Sequence, residues 1–422
     1  MGYVPNSLLD WLAYLETLHP KAIALGLDRV RDVLARLDAG IECPVIVVGG
    51  TNGKGSTCAM LESIYRCAGF ATGLYASPHL LRYNERVRIR GEQATDEALV
   101  ESFRAVDHAR SEVPLTYFEF GTLAALWLFA RAKLDVLVLE VGLGGRLDAV
   151  NVIDADVAVI SSVDIDHVDY LGPTREDIGR EKAGIFRRGR PAVCGDRHPP
   201  VALEEVARDA GAQLLVLGRD YEFTDERTQW RYRGPRGERY GLPVPALRGA
   251  YQLANASTAL AAIDLLHARL PVSAQAVRDG LLTVVLPGRF QVLPGRPAIV
   301  LDVAHNPHAA RALADTLGTM GFYPQTFAVC AMLGDKDVNG VIAALHGRID
   351  RWYVAGLPGP RGGSPRRLRD ALLAAGVSAD CIVVHDDVAS AFRAAREAAT
   401  EADRIVVFGS FVTVAAALAA AA

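Results

Sequence analysis

Apolar runs and helical patterns alternate along most of this chain. The runs at 45–49, 134–141 and 157–161 are rich in Val, Ile and Leu, which predicts buried strands of a parallel sheet. Residues 122–133 and 177–186 instead carry apolar positions at helical spacing. This regular alternation predicts an α/β fold with a mostly parallel sheet.

Two segments interrupt the alternation. Residues 221–240 are polar and aromatic, which predicts a small hairpin or side sheet. Residues 286–294 contain two prolines and a glycine, which is typical of a linker. Beyond them we predict further strands at 298–303, 326–331, 351–355, 381–384 and 404–408. The predicted domains are 1–286, a linker at 287–295, and a smaller Rossmann-like α/β domain at 296–422.

Composition and charge narrow the class of protein. With 422 residues, the chain is long enough for two cores. The formal net charge of -4 argues against a nucleic-acid partner, because such proteins usually carry a basic excess. The six cysteines form no C-x-x-C pair, and we find no signal peptide and no apolar run of the roughly 20 residues that span a bilayer. We therefore expect a cytoplasmic protein without a nucleic-acid or membrane partner.

The segment 45–57, Val-Ile-Val-Val-Gly-Gly-Thr-Asn-Gly-Lys-Gly-Ser-Thr, predicts a phosphate-binding loop. A strand leads into glycines that let backbone N–H groups approach a polyphosphate, and a helix follows with its positive end toward the same anion. Lys54 would reach the β- and γ-phosphates, and the hydroxyl of Ser56 or Thr57 would lie near Mg²⁺. The match to G-x-x-x-x-G-K-[ST] is imperfect, and a glycine-rich turn without function is the alternative.

Acidic residues follow two of the predicted strands. Glu140 ends the strand at 134–141, and Asp164, Asp166 and His167 follow the strand at 157–161. We expect these two strands to be neighbours, so that the side chains share one edge of the sheet. A metal site is the favoured interpretation, because carboxylates and imidazole are metal ligands. Ordinary strand-end acids and a surface histidine are the alternative.

Two further segments have open interpretations. Lys182 is either a solvated lysine or a buried amine that has captured CO₂ as a carbamate, which would turn a cation into a metal-binding anion. Residues 116–119 form a short aromatic strip that belongs either to the core or to a pocket in which a flat heterocycle stacks on Phe118.

Three arginines stand at strand spacing, at Arg86, Arg88 and Arg90, with apolar residues between them. This pattern predicts one basic face of a strand. Such a face is usually solvated, and attraction of an acidic substrate tail is the alternative.

Taken together, these motifs resemble the Mur ligase superfamily, and within it the bifunctional dihydrofolate synthase/folylpolyglutamate synthase family of bacteria. The similarity covers essentially the whole chain, and the imperfect phosphate loop is this family's version. The motifs that carry the resemblance lie at 50–56, 77–80, 139–148, 166–167, 181–184, 286–289 and 302–307.

The resemblance implies an ATP-dependent, ADP-forming carboxylate–amine ligase. Such an enzyme adds L-glutamate to dihydropteroate, forming dihydrofolate, and to reduced folates, forming polyglutamates, through an acyl phosphate. It implies ATP as a substrate and Mg²⁺, as two ions, and it leaves a monovalent cation open. It also implies a monomer whose partners are small-molecule substrates, and an N-terminal P-loop domain that contains a pterin pocket.

The resemblance also implies roles for individual residues. The ATP-binding residues are Thr51, Asn52, Gly53, Lys54, Gly55, Ser56, Asn255, Arg289 and Asp302. The metal ligands are Ser56, Ser77, Glu140 and His167. The dihydropteroate-binding residues are Ala22, Ile23, Ala24, Leu25, Thr116, Tyr117, Phe118, Glu119, Leu147, Asp148 and Ala149. The glutamate-binding residues are His305 and Ser410. The catalytic residues are Lys54, carbamylated Lys182, His167 and His305.

Three other functions stay open at this point. The chain could carry folylpolyglutamate synthesis alone. It could instead be a non-ligating switch in which ATP moves two domains for a partner. A Rossmann dehydrogenase is a weaker alternative, because the glycines at 142–145 follow a strand but lack the spacing of G-x-G-x-x-G.

Overall fold

The computed structural model describes residues 5–21, 23–249, 251–359 and 361–421. It divides into two compact units. The first comprises Met1–Ala246 and Leu253–Val284, and the second comprises Leu247–Gln252 and Val285–Ala422. Both units are built from sheets with helices packed on them, so the predicted α/β class is confirmed. Within the described ranges, we find no helix with the length and apolarity to cross a bilayer.

Eight strands form the main sheet of the first unit. They are β1 Val45–Gly49, β2 Thr72–Tyr75, β3 Val87–Ile89, β4 Glu92–Gln93, β5 Val136–Glu140, β6 Val157–Ile160, β7 Pro191–Cys194 and β8 Gln213–Val216. Their order is β4-β3-β2-β5-β1-β6-β7-β8. The pairings from β2 to β8 are parallel, whereas β3 and β4 extend one edge in the antiparallel sense.

Helices cover this sheet. They are α1 Leu8–Leu15, α2 Asp28–Leu34, α3 Lys54–Cys67, α4 Asp96–Arg110, α5 Tyr117–Arg131, α6 Val168–Leu171, α7 Arg175–Ala183, α8 Val201–Ala210, α9 Gln252–Leu266 and α10 Ala274–Thr283. Short 3₁₀ helices occupy Tyr83–Arg86 and Ala149–Val152. The core between sheet and helices is aliphatic and aromatic, with Trp11, Phe103 and Phe120 in mutual contact.

The order of the central strands differs from the prediction. We expected the strand that precedes His167 to neighbour the strand that ends in Glu140, and this was wrong. β1 lies between them, with Val48 in register with Glu140 on one side and Gly49 with Ile160 on the other. All five residues of β1 are buried, as a central parallel strand requires. The phosphate loop therefore leaves the sheet between β5 and β6, each of which is followed or ended by polar residues.

The side sheet is confirmed. Three antiparallel strands, β9 Glu222–Asp225, β10 Gln229–Gly234 and β11 Gly237–Pro243, form a sheet of their own. Buried Trp230 and Tyr232 on β10 anchor it, and the Tyr232 hydroxyl donates to Asp264 on α9 at 3.1 Å.

The second unit contains a six-stranded sheet. Its strands are β12 Gln291–Leu293, β13 Ala298–Leu301, β14 Thr326–Cys330, β15 Arg351–Ala355, β16 Ile382–His385 and β17 Arg404–Phe408, in the order β12-β13-β17-β14-β15-β16. Among the described strands of this unit, only β12 runs antiparallel to its neighbour. Its helices are α11 Pro307–Thr319, α12 Val338–Leu345, α13 Pro365–Ala374, α14 Val388–Ala398 and α15 Phe411–Ala421. Short 3₁₀ helices lie at His346–Arg348 and Ala379–Cys381. Residues 287–295, the predicted linker, include β12.

Candidate active site

The phosphate loop has the backbone that its glycines predict. Gly50 has φ +142° and Gly53 has φ +85°, conformations that residues with a Cβ rarely adopt. A Cβ at Gly50 would also collide with the Ser161 hydroxyl, and one at Gly53 with the Asn255 amide. Gly53 is the N-cap of α3, so the loop delivers the chain directly to the positive end of a 14-residue helix.

The loop is tied to the chain that follows β6. The Thr51 N–H donates to the Ser162 carbonyl at 2.8 Å, and the Thr51 hydroxyl donates to the Asp164 carbonyl at 3.0 Å. The Lys54 ammonium donates to the carbonyls of Gly50 and Thr51 at 3.0 and 3.2 Å. These bonds hold the lysine across its own loop, where its charge can meet a polyphosphate.

Residues with oxygen-bearing side chains lie at the carboxyl ends of β2 and β5 and at the start of α3. Glu140 is buried at 4% exposure, and one of its carboxylate oxygens accepts the Ser77 N–H at 3.1 Å. Ser56 is buried in the first turn of α3. Hard oxygen donors of this kind suit Mg²⁺, which usually takes one or two carboxylates and completes its shell with waters and substrate phosphates. The donor set therefore fits a nucleotide-bound magnesium ion.

His167 lies in the loop after β6, on the other side of β1. Its backbone is left-handed, with φ +53°, and its N–H donates to the Asp166 carboxylate at 2.8 Å. Its ring nitrogen Nε2 is 4.0 Å from the same carboxylate. Within the described ranges, no three His, Cys, Asp or Glu side chains converge as a ready-made cluster. The ligand role of His167 thus stays a prediction.

Lys182 is buried in α7 at 4% exposure. Burial, reinforced by the charge of Lys54, lowers the pKa of its amine to about 7, whereas Asp166 and Asp148 oppose this shift. The solvated interpretation of Lys182 is therefore wrong. A buried amine with a pKa near 7 is substantially unprotonated at neutral pH, which is the form that reacts with CO₂.

The strip at 116–119 is the beginning of a helix. Thr116 caps α5, its hydroxyl accepting the Glu119 N–H at 3.2 Å while the Glu119 carboxylate accepts the Thr116 N–H at 2.8 Å. Phe118 is partly exposed, and its ring lies against Gly142, where a Cβ would come within 2.6 Å of the ring. Because Gly142 follows Glu140 by two residues, the aromatic strip lies beside the end of β5.

Asp148 is a buried carboxylate that caps the 3₁₀ helix at Ala149–Val152. It accepts N–H groups from Leu143 at 2.8 Å and Val150 at 3.0 Å. Burial nevertheless raises the pKa of Asp148 to about 7, because these bonds only partly offset the desolvation. A carboxyl group in this state can pair with the donor edge of a heterocycle.

Arg29 joins two of the predicted dihydropteroate segments, and the sequence analysis missed it. Its Nη2 donates both to the Ala24 carbonyl and to Glu119 Oε1, each at 2.7 Å. A third segment is attached by the Gly26 N–H, which donates to the Leu147 carbonyl at 3.3 Å. Ile23, Ala24 and Leu25 are partly exposed; Ala22 lies outside the described residues.

The second unit has its own polar cluster after β13. The Asp302 carboxylate accepts N–H groups from Phe290 and Ala304, each at 2.8 Å, and burial raises its pKa while Arg289 opposes the shift. The Arg289 guanidinium lies 5.0 Å from the ring centre of Phe411.

The two residues predicted to bind glutamate have distinct surroundings in this unit. His305 Nδ1 lies 2.9 Å from the Val303 carbonyl, a contact in which Nδ1 carries the proton. Ser410 is buried at 4% exposure, and its hydroxyl oxygen accepts the Thr413 N–H at 3.0 Å. Ser410 therefore has a structural role at the start of α15, and its glutamate contact stays a prediction.

Two families match the chain. Residues 48–263 match the Mur ligase middle domain, and residues 288–411 match the glutamate ligase domain of Mur ligases. A dihydrofolate synthase/folylpolyglutamate synthase from Escherichia coli strain K12 is 47% identical, over 97% of this chain and 94% of the relative. One from Haemophilus influenzae is 43% identical, over 97% and 96%.

Solved structures agree with these matches. Escherichia coli FolC in complex with DHPP and ADP matches with a TM-score of 0.93 and 45% identity, over 99% of this chain and 98% of that one. A bifunctional folylpolyglutamate synthase/dihydrofolate synthase with Mn, AMPPNP and L-glutamate bound has a TM-score of 0.91 and 47% identity, over 99% and 98%. The chain therefore belongs to the Mur ligase family and, within it, to the dihydrofolate synthase/folylpolyglutamate synthases.

Proposed function

We propose that this chain is an ATP-dependent, ADP-forming ligase that adds L-glutamate to dihydropteroate and to reduced folates. One observation carries the proposal. The phosphate loop leaves β1 beside Glu140 on β5, and two residues beyond Glu140 the chain meets the ring of Phe118. The nucleotide cradle and the aromatic strip therefore lie at the carboxyl ends of two neighbouring strands. The relatives whose structures hold ADP with DHPP, or AMPPNP with L-glutamate, support the same assignment.

The chemistry has two steps. A carboxylate resists attack by an amine, because its charge repels nucleophiles and it lacks a good leaving group. Its oxygen therefore first attacks the γ-phosphorus of ATP, giving an acyl phosphate and ADP. The α-amine of glutamate then attacks the acyl carbon, the amide forms, and phosphate leaves with its electron pair.

The residues of the first unit would divide this work. Lys54 would neutralise charge on the transferring phosphoryl group, an electrostatic role that pre-aligned cations fill in phosphoryl transfer. Ser56, Ser77, Glu140 and His167 would hold magnesium, which supplies further charge neutralisation when bound. Carbamylated Lys182 would supply an additional anion beside the metal. Thr51, Asn52, Gly53, Gly55 and Asn255 would contact ATP.

The dihydropteroate pocket would be built around Phe118 and Asp148. The Phe118 ring offers a stacking face, and the Asp148 carboxyl can accept from the amino group of a pterin. The second unit would contribute Arg289 and Asp302 to the nucleotide and His305 and Ser410 to glutamate. A monovalent cation stays an open part of this proposal.

Location and assembly are also part of the proposal. ATP as substrate and six free cysteines suit the reducing cytoplasm. We propose a monomer with domain boundaries near residues 286 and 296.

The test measures ADP release and products together. The purified chain is incubated with ATP, Mg²⁺ and L-glutamate, with dihydropteroate or a reduced folate as acceptor. We expect ADP release to require both acceptor and glutamate, and mass spectrometry to find dihydrofolate or a glutamate-extended folate. If only the reduced folate is extended, the chain is a folylpolyglutamate synthase without dihydrofolate synthase activity. One relative, from Lacticaseibacillus casei, is named folylpolyglutamate synthase. If the rate of ADP release is the same with and without acceptor and L-glutamate, the chain is instead a non-ligating ATP-driven switch.

A further inference from the structure

Arg86 is a buried arginine, not part of a solvated basic face. It ends the 3₁₀ helix Tyr83–Arg86 and is only 9% exposed. The solvated interpretation of this basic face is therefore wrong for Arg86, and attraction of an acidic substrate tail stays open. Arg88 instead pairs with buried Glu62 at 3.1 Å, and exposed Arg90 donates to two backbone carbonyls.

Uncharged partners surround the Arg86 guanidinium. Its Nε donates to His79 Nδ1 at 2.8 Å, and its central carbon lies 5.2 Å from the ring centre of Tyr83 and 5.6 Å from that of Tyr117. In the part of the chain that the structure describes, no carboxylate lies within ion-pair distance of it. Buried arginines are usually paired with an acid, so this one is unusual.

The side chains around Arg86 do not ionise to give a negative charge that would pair with its guanidinium. His79 offers Nδ1 as the acceptor of the Arg86 N–H, so this nitrogen carries no proton and the contact brings no negative charge to Arg86. Burial raises the pKa of Tyr83, and it raises that of Tyr117 to about 12. The two tyrosine hydroxyls therefore stay protonated at neutral pH and add no negative charge beside Arg86.

Arg86 also contacts both halves of the proposed reaction site. Tyr117, whose ring it faces, belongs to the proposed dihydropteroate strip. His79, which it bonds, follows Ser77 by two residues, and the Ser77 N–H contacts Glu140. An anion that binds Arg86 would thus lie beside the acceptor pocket and near the metal-binding residues.

We propose that Arg86 binds the carboxylate of dihydropteroate and holds it for phosphorylation. This inference rests on the proposed function and assigns it a further substrate-binding residue. The guanidinium presents a planar pair of donors that matches a carboxylate, and a partly desolvated site strengthens the pairing. The His79 bond and the two tyrosine rings fix the plane of the guanidinium before substrate arrives.

The test removes the charge from each side of the contact. The Kd of pteroate and of its carboxamide is measured by calorimetry, with ADP and Mg²⁺ present, for the wild type, R86M and R86Q. We expect both variants to weaken pteroate binding by about 10- to 100-fold, the range for a charged hydrogen bond, and to affect the carboxamide little. R86K should restore part of the affinity for pteroate.

R82M is the matched control. Arg82 lies in the same segment but is exposed and pairs with Asp96 at 2.9 Å, so both affinities should stay unchanged. Equal losses for acid and carboxamide in R86Q would overturn the inference, because Arg86 would then only shape the pocket. R86Q keeps a donor for His79, so it tests the charge if R86M does not fold. A wild type that fails to turn over dihydropteroate would instead refute the proposed function.

Discussion

Arg29 and Glu119 are 90 positions apart in the chain, yet their side chains form an ion pair at 2.7 Å. Glu119 is buried, and its other oxygen accepts the Thr116 N–H at 2.8 Å. Both carboxylate oxygens are thus engaged within the protein. Glu119 therefore supports the aromatic strip within the fold, and its predicted contact with the substrate stays a prediction.

Removing this support should weaken dihydropteroate binding. In Arg29→Met, the Ala24 carbonyl and the Glu119 carboxylate both lose their charged donor. We expect the KM for dihydropteroate to rise about tenfold and the unfolding free energy to fall by about 1–3 kcal/mol, the cost of a buried acceptor left unpaired. The KM for ATP should stay unchanged. Steady-state kinetics and urea unfolding measure these quantities.

Arg31→Met is the matched control for Arg29→Met. Arg31 lies on the same helix but is exposed, and it pairs with the exposed Asp28 at 3.7 Å. Surface pairs of this kind contribute little to stability. If Arg31→Met raised the KM for dihydropteroate as much as Arg29→Met, the support role would have to be abandoned.

Local signals predicted more of this site than long-range ones. The phosphate loop could be predicted because its glycines, lysine and hydroxyl residues are contiguous in the sequence. Glu140 could be predicted because it is a charged residue at the end of an apolar run. The capping box Thr116-x-x-Glu119 was equally local and would have indicated the start of α5. The position of β1 between β5 and β6 and the pairing of Arg29 with Glu119 depend on tertiary packing, for which spacing along the chain holds no signal.

Lys54→Ala should abolish glutamate-dependent ADP formation while the protein stays folded. The ammonium donates to two carbonyls of its own loop, so its removal breaks two hydrogen bonds and, within the described residues, no ion pair with a carboxylate. We expect turnover to fall by about 10²-fold or more, as for other pre-aligned charge-stabilising groups. Coupled ADP assays and circular dichroism measure the two properties. Lys133→Ala, at an exposed lysine, is the control, and near-normal turnover in Lys54→Ala would refute the phosphate-loop assignment.

Carbamylation of Lys182 should depend on pH near neutrality. Burial lowers the pKa of this amine to about 7, so the reactive neutral form increases as pH rises through that value. With ¹³C-bicarbonate, we expect a carbamate NMR signal that grows from pH 6 to pH 8, values chosen to bracket the shifted pKa. Lys182→Gln should lack the signal and should stay impaired in added bicarbonate. An active wild-type enzyme without any carbamate signal would contradict the modification.

The same pKa shift makes a prediction about stability. Between pH about 7 and about 10, an unfolded chain holds a proton on Lys182 that the folded, unmodified chain does not. The unfolded state therefore binds more protons, and this group's contribution to the unfolding free energy rises with pH across that window. In bicarbonate-free buffer, Lys182→Met should show a smaller rise than the wild type in urea unfolding. Equal slopes would mean that the amine titrates normally in the folded protein.

Gly142 should control the position of the Phe118 ring. A Cβ at this position would approach three ring atoms at 2.6, 2.8 and 3.1 Å, and the ring is the far end of a side chain that can rotate away. Gly142→Ala should therefore fold but displace the ring, raising the KM for dihydropteroate with little change in that for ATP. Gly40→Ala, where nothing lies within 4 Å of the added carbon, is the control. In a Phe118→Ala background, the Gly142→Ala substitution has no ring to displace, so its effect on the KM for dihydropteroate should vanish. If the effect persists in that background, Gly142 acts through the backbone and not through the position of the ring.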